Sequence, residues 1–317
     1  MLITAVIITV LLILAYWGWV WLQTGGQIQR SLSVLLMLVI FFSAAIIIYV
    51  ERMDTSYMLD DTPVLVGITT DLSLSMGATV DPREYSPLPT RLERAQRVIL
   101  PILNALDTSG ASVMMGITGF TAKSEMIMGW DGNLPQIREV IEYSLAPGIL
   151  TLPGSDLGVA LQGVLPLFEN LPEEYQEQET RKFLIVISDG EQTQERGELE
   201  TALAELRSSN VSIISLQVGS LDLPEGIPVY DDAGTFLGFE DISGQVYTMP
   251  NTEIMQMIAG EDPATGLYIR AESNDAVEEI SSFLGIRMSA LSTSGPMYTA
   301  VVSVLWGLSI AALLWFV

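Results

Sequence analysis

Asp71, Ser73 and Ser75 form the phrase Asp71-Leu72-Ser73-Leu74-Ser75, just beyond the apolar run Val64-Leu65-Val66-Gly67-Ile68. Two later positions offer the same kind of atom. Ser155 lies in the glycine-flanked loop Pro153-Gly154-Ser155-Asp156-Leu157-Gly158, and Asp189 closes the apolar run Lys182–Ser188 ahead of Gly190. Carboxylates and hydroxyls are hard oxygen donors, the set taken by Mg²⁺ and Ca²⁺. The chain has 317 residues and contains no histidine and no cysteine. His-based triads, ordinary zinc sites and thiol chemistry are therefore excluded, and what remains is oxygen chemistry.

The elements around these residues explain how they could meet. Apolar strands alternate with helical patterns, which predicts an α/β fold: a doubly wound, mostly parallel, Rossmann-like sheet covered on both faces. Strands are expected at Val64–Ile68, Ala111–Phe120, Glu125–Met128, Lys182–Ser188, Val211–Val218 and Gly266–Ile269. Helices are expected at Arg91–Leu106, Leu134–Tyr143, Asp156–Phe168, Leu199–Ser208, Thr252–Ala259 and Asp275–Leu284. Thr90 and Glu93 have the spacing of a capping box. The short turn Thr121–Ser124 implies an antiparallel hairpin at one edge of the sheet. Residues 221–248 read as a hairpin excursion above the sheet, and the acidic run Leu171–Glu179 as a solvated surface loop. In a doubly wound sheet the first strand and the strand after the third helix are neighbours at the switch point, where ligands bind. That topology can bring the oxygens of Asp71, Ser73, Ser75, Ser155 and Asp189 together. Taken singly, Asp71, Ser73 and Ser75 also suit turn and capping roles. Asp156 is either a further ligand or a charge that compensates a helix N-terminus.

Charge and hydropathy divide the chain into three parts. Residues 1–50 carry one charged side chain, Arg30, and two apolar stretches, 2–22 and 32–50, each long enough for a transmembrane helix. Trp17, Trp19 and Trp21 sit at the end of the first stretch, where indole rings favour headgroups. A cleaved signal peptide fits less well, because no basic segment precedes the apolar run and a second run follows at once. Residues 298–317 form a third uncharged run of spanning length. The segment 51–297 between them holds all 38 acidic residues and 13 of the 14 basic ones, a net charge of −25. Such a charge repels nucleic acid and anionic headgroups. Arg30 in the short turn between the first two spans places that turn in the cytoplasm and segment 51–297 outside it.

The sequence Asp-x-Ser-x-Ser, then a hydroxyl, then Asp resembles the metal-ion-dependent adhesion site (MIDAS) of von Willebrand factor A (VWA) domains. The phrases Thr90-Arg91-Leu92-Glu93-Arg94-Ala95, Pro153–Leu161 and Ser188-Asp189-Gly190-Glu191 are similar to further signatures of bacterial members. Two amino-terminal spans, the domain and one carboxyl-terminal span resemble Bat-type (aerotolerance operon) membrane proteins and their methanol-oxidation relatives. The resemblance implies Ser73, Ser75 and Ser155 as direct ligands, with Asp71 and Asp189 acting through hydrogen bonds or bridging waters. It implies Mg²⁺, with Mn²⁺ or Ca²⁺ as alternatives, and a partner protein whose Asp or Glu completes the shell. It further implies a bacterial inner-membrane protein, without catalysis of its own, that works with a MoxR-family AAA ATPase and sibling VWA membrane proteins. Two positions depart from the family: Ser155 stands where Thr is usual, and Leu74 where Gly is frequent. A structural scaffold with a vestigial metal loop, and a metal-assisted phosphohydrolase with Asp71 as nucleophile, are the competing expectations.

Overall fold

The computed structural model describes residues 62–109, 112–150, 152–176, 178–191, 197–241 and 246–286. The expected spans at 2–22, 32–50 and 298–317 lie outside the described residues. Among the described residues, no helix is long and apolar enough to cross a membrane.

The chain enters through β1, Val64–Asp71, which is buried along its whole length. A 3-10 turn at Leu74–Gly77 and the two-residue β2, Thr79–Val80, lead to α1, Arg91–Ser109. β3, Val113–Phe120, turns back into β4, Ser124–Asp131. Next come α2, Leu134–Glu139, which runs on into one π turn at Val140–Ser144, and then α3, Leu157–Glu169. A helical turn α4, Glu173–Gln176, precedes β5, Arg181–Ser188. α5, Gly197–Ser208, and β6, Val211–Gln217, follow. β7, Glu225–Gly226, β8, Pro228–Tyr230, and β9, Phe236–Phe239, make up the excursion. α6, Thr252–Ala259, β10, Gly266–Arg270, and α7, Ala276–Phe283, complete the described fold.

The six-stranded sheet has the order β10-β6-β5-β1-β3-β4. Every pairing in it is parallel except β3 with β4. This is the doubly wound sheet with an antiparallel edge that the alternating pattern implied. The chain moves from β1 to one side and later returns at β5 on the other, so the switch point lies between β1 and β5.

Alternate side chains of each inner strand feed two cores. Phe183, Ile185 and Ile187 of β5 join Val64, Val66 and Ile68 of β1 beneath α1, α2 and α7. Leu184 and Val186 face α3, α5 and α6 with Leu161, Leu203 and Met255. Each fully buried side chain of this kind stabilises the fold by roughly 1.5–3 kcal/mol. Both faces are thus committed to packing, which leaves the carboxyl edge of the strands for chemistry.

Several boundaries moved. β1 runs three residues past the apolar segment, because the β-branched Thr69 and Thr70 continue the strand and Asp71 still pairs with Phe120. Asp71 is therefore the last strand residue and not a loop residue. The run Leu171–Glu179 contains α4, pinned where the Tyr175 hydroxyl meets Ser112 Oγ at 3.2 Å. The excursion is more ordered than its composition suggested: β7 pairs with β2, and β8 with β9. The capping box is present, with Thr90 N donating to Glu93 Oε2 at 2.8 Å and Glu93 N to Thr90 Oγ1 at 3.3 Å.

Candidate functional site

Asp71 is the centre of the carboxyl edge, because β1 sits between β3 and β5 and ends in a carboxylate with no exposed surface. Among the described residues, three serines donate to it. Ser73 N donates to Oδ1 at 2.9 Å, and Ser155 Oγ and Ser188 Oγ each donate to Oδ2 at 2.9 Å. Ser73 Oγ and Ser75 Oγ stand 3.0 Å apart on the side where the site opens. Ser73 and Ser155 are nearly buried, whereas Ser75 is half-buried and Leu74 beside it is exposed. The 3-10 turn that begins at Leu74 uses negative φ, so leucine meets no strain where a glycine is frequent.

Backbone contacts seat the loops around this carboxylate. Asp156 N donates to Thr121 O at 3.0 Å, fastening the Ser155 loop to the β3–β4 turn. Asp156 caps α3 through Val159 N at 3.0 Å, so its carboxylate is used by the helix, which starts at Leu157 with Asp156 as its cap. At the end of β5, Gly190 has φ +80°, and a Cβ there would come within 2.3 Å of Asn251 O. Only glycine fits this turn, which sets Asp189 at the edge of the sheet.

Asp189 is buried beside Asp71, but it is also claimed from the other side. Arg91 Nη1 lies 2.6 Å from Asp189 Oδ2, and Glu191 N donates to Asp189 Oδ1 at 2.9 Å. The same guanidinium donates from Nε to Glu225 Oε2 at 2.8 Å and from Nη2 to Thr248 O at 3.0 Å. Arg94 then pairs with Glu225 at 2.7 Å and with Glu272 at 3.1 Å. Of the five residues read from sequence, Asp71, Ser73, Ser75 and Ser155 form one contact cluster, and Asp189 joins it as a neighbouring charge.

Ser188, Arg91, Glu225 and Glu191 were not read as site residues. Glu225 lies in an irregular segment that carries no signal. Arg91 carried one: an arginine at the first position of a helix opposes the macrodipole unless a carboxylate waits there.

Burial raises the Asp71 carboxyl from 3.8 to about 7, and the negative charge of Asp189 adds to the shift against the hydrogen bonds from Ser73 and Ser188. Glu191 is likewise raised to about 7 by burial and then by Asp189. Burial pulls Arg91 down, yet Asp189 and Glu225 outweigh it and hold the guanidinium above its ordinary value. Among the described residues, no basic side chain forms an ion pair with Asp71. A buried carboxylate supported only by neutral donors lacks a counter-charge.

The donor set fits a small hard cation. Adjacent corners of an octahedron with bonds of about 2.0–2.1 Å lie about 2.9 Å apart, against about 3.4 Å for bonds of about 2.4 Å. The Ser73–Ser75 separation of 3.0 Å is that of a hydrogen bond between the two hydroxyls and is compatible with the smaller edge. Among the described residues, no group of three or more His, Cys, Asp or Glu side chains is gathered to hold a metal. Any cation here would rest mainly on hydroxyls and keep water. A shallow cavity of about 690 Å³ opens at the opposite edge of the sheet, between Arg181, Lys182, Asn210 and Phe283, and shares no residue with this cluster.

An open doubly wound sheet with oxygen donors gathered at its switch point defines a Rossmann-like α/β domain that takes its ligand at the carboxyl edge. Residues 68–192 match the von Willebrand factor type A domain family, and the chain carries such a domain, a protein-interaction module that is often metal-dependent. The chain is similar to BatB, a conserved hypothetical protein from Bacteroides thetaiotaomicron, with 25% identity and a TM-score of 0.53 over 70% of this chain and 97% of that one. It is also similar to an aerotolerance-related membrane protein from Bacteroides fragilis, with 21% identity and a TM-score of 0.51 over 71% of this chain and 98% of that one. A comparison with curated proteins found no match.

Proposed function

We propose that this chain is a membrane-anchored protein-binding module that uses a divalent cation, Mg²⁺ by preference, and has no catalysis of its own. One observation carries the reading. Asp71, wholly buried and without a cationic partner among the described residues, takes the hydroxyl hydrogens of Ser155 and Ser188 beside the paired oxygens of Ser73 and Ser75. A serine that donates its hydrogen to Asp71 can still accept through its oxygen, as Ser188 does from Gly190 N at 3.0 Å. Asp71 thus orients Ser155, while the turn after β1 presents Ser73 and Ser75. The bound ion would supply an open coordination position for a carboxylate of the partner protein. The exposed Leu74 gives that partner an apolar contact beside it.

Anchoring is supported by the three apolar stretches of spanning length, and the extracytoplasmic side by Arg30 in the turn between the first two. The likeness to Bat-type proteins supports a MoxR-family AAA ATPase and sibling VWA membrane proteins as co-workers in an assembly or chaperone-like system. Arg91 tells against phosphoryl transfer: among the described residues it is the arginine that reaches the site, and Asp189, Glu225 and Thr248 already engage its donors.

Titration of the full chain in detergent with MgCl₂, followed by co-purification of partners with Mg²⁺ and with chelator, tests the reading. Heat and partner capture are expected in the parent chain, and neither in Asp71→Ala or Ser73→Ala with unchanged circular dichroism. Equal partner capture by all three proteins, in Mg²⁺ and in chelator alike, overturns it.

A further inference from the structure

The ion pairs behind the site form an unbroken series: Asp189, Arg91, Glu225, Arg94, Glu272 and Arg270, with successive separations of 2.6, 2.8, 2.7, 3.1 and 3.6 Å. Three carboxylates meet three guanidiniums, so the series is neutral by itself. Asp189 is paired within it, and Asp71 forms no ion pair among the described residues. The Arg91 side chain has no exposed surface, as have those of Asp189 and Glu225. Its planar fork cannot be re-aimed at one partner without disturbing the others.

Arg91 is also fastened to the neck of the excursion. Its Nε meets Glu225 in β7, while Nη1 and Nη2 meet Thr248 Oγ1 and O at 3.2 and 3.0 Å. Thr248 N donates to Glu225 O at 2.9 Å and closes the neck, and β7 is paired with β2. One buried guanidinium therefore ties a carboxylate of the site to both ends of an excursion whose outer face bears the exposed Tyr230, Leu237 and Tyr247.

We propose that Arg91 is a built-in counter-cation that withholds Asp189 from the metal corner, and that the 225–248 excursion keeps it there. The proposal rests on the metal reading of the site. A divalent ion beside Asp71 must compete with Arg91 for the charge of Asp189, and coupling of this kind is reciprocal. Ion binding loosens the neck, and displacement of the neck hands Asp189 to the ion. A partner that engages the excursion would in this way strengthen its own metal contact.

Arg91→Met and Arg91→Gln remove the charge, and the second keeps a hydrogen-bond donor. In the full chain each is expected to melt below the parent without Mg²⁺, yet to bind MgCl₂ about tenfold more tightly by calorimetry, since a unit charge is lost at short range. An arginine that merely props the loop would give the opposite sign, because its loss would spoil the site. Should neither variant fold, hydrogen exchange of the parent decides: MgCl₂ is expected to speed exchange at Glu225–Gly226 and Thr248–Met249 while slowing it at Asp71–Ser75. Equal or weaker Mg²⁺ binding in folded variants, or in their absence a neck that Mg²⁺ leaves unchanged or slows, overturns the proposal and leaves the metal reading intact. A parent that takes up no Mg²⁺ removes both.

Discussion

Lowering the pH from 8 to 6 should weaken Mg²⁺ binding, because a cation beside Asp71 gains its negative charge only after the proton leaves. Burial and the neighbouring charge of Asp189 push that carboxyl up to about 7. A group of that pKa is about nine-tenths ionised at pH 8 and about one-tenth ionised at pH 6, so the apparent affinity should fall about tenfold across this interval. The sign for stability runs the other way. The folded value lies above the ordinary 3.8 of a free carboxyl. Asp71 therefore contributes stability that is present below pH 4 and is lost as the pH rises through about 7. Metal-free protein should lose part of its stability over that window, and saturating Mg²⁺ should restore it most at pH 8. Calorimetric titration at several pH values gives the first quantity, and urea unfolding with and without Mg²⁺ gives the second. Asp71→Asn should flatten the metal-free trend, because the amide does not titrate. Glu191→Gln separates the contribution of the second group raised to about 7. An affinity constant within twofold from pH 6 to pH 8, in a parent that binds Mg²⁺, refutes the argument that Asp71 is a buried carboxylate awaiting a cation.

Two substitutions probe the scaffold of the site. Ser188→Ala removes a donor to Asp71 and the acceptor of Gly190 N, so a loss of about 1–2 kcal/mol is expected in urea unfolding. The midpoint of the Mg²⁺ pH profile should also move upward, since that hydrogen bond holds Asp71 down. Gly190→Ala places a methyl against Asn251 O at a φ of +80°, and should cost about 2–4 kcal/mol with a matching drop in urea midpoint.

The sheet was legible because its signals are local. Alternating apolar strands and helical spacings name the elements. The short Thr121–Ser124 turn fixes the antiparallel edge, and the return of a strongly apolar strand after the third helix fixes the neighbours of β1. Asp71, Ser73, Ser75 and Ser155 could be read because each lies at or just beyond an element end, where a polar group with no packing duty stands out. Ser188 escaped notice because it ends a buried strand, where a small residue reads as filler. Its role appears only when β1 and β5 lie side by side and its hydroxyl meets Asp71. Arg91 was visible as a helix opening and Glu225 as part of an irregular stretch, but their pairing spans 134 positions. No local pattern encodes a contact of that range, because it depends on where the excursion folds back over the sheet. Sequence alone determined the fold class, the oxygen-only chemistry and the strand ends that carry it. Tertiary structure decided which carboxylate lacks a counter-charge among the described residues, since burial and ion pairing belong to the assembled neighbourhood and not to any residue in isolation.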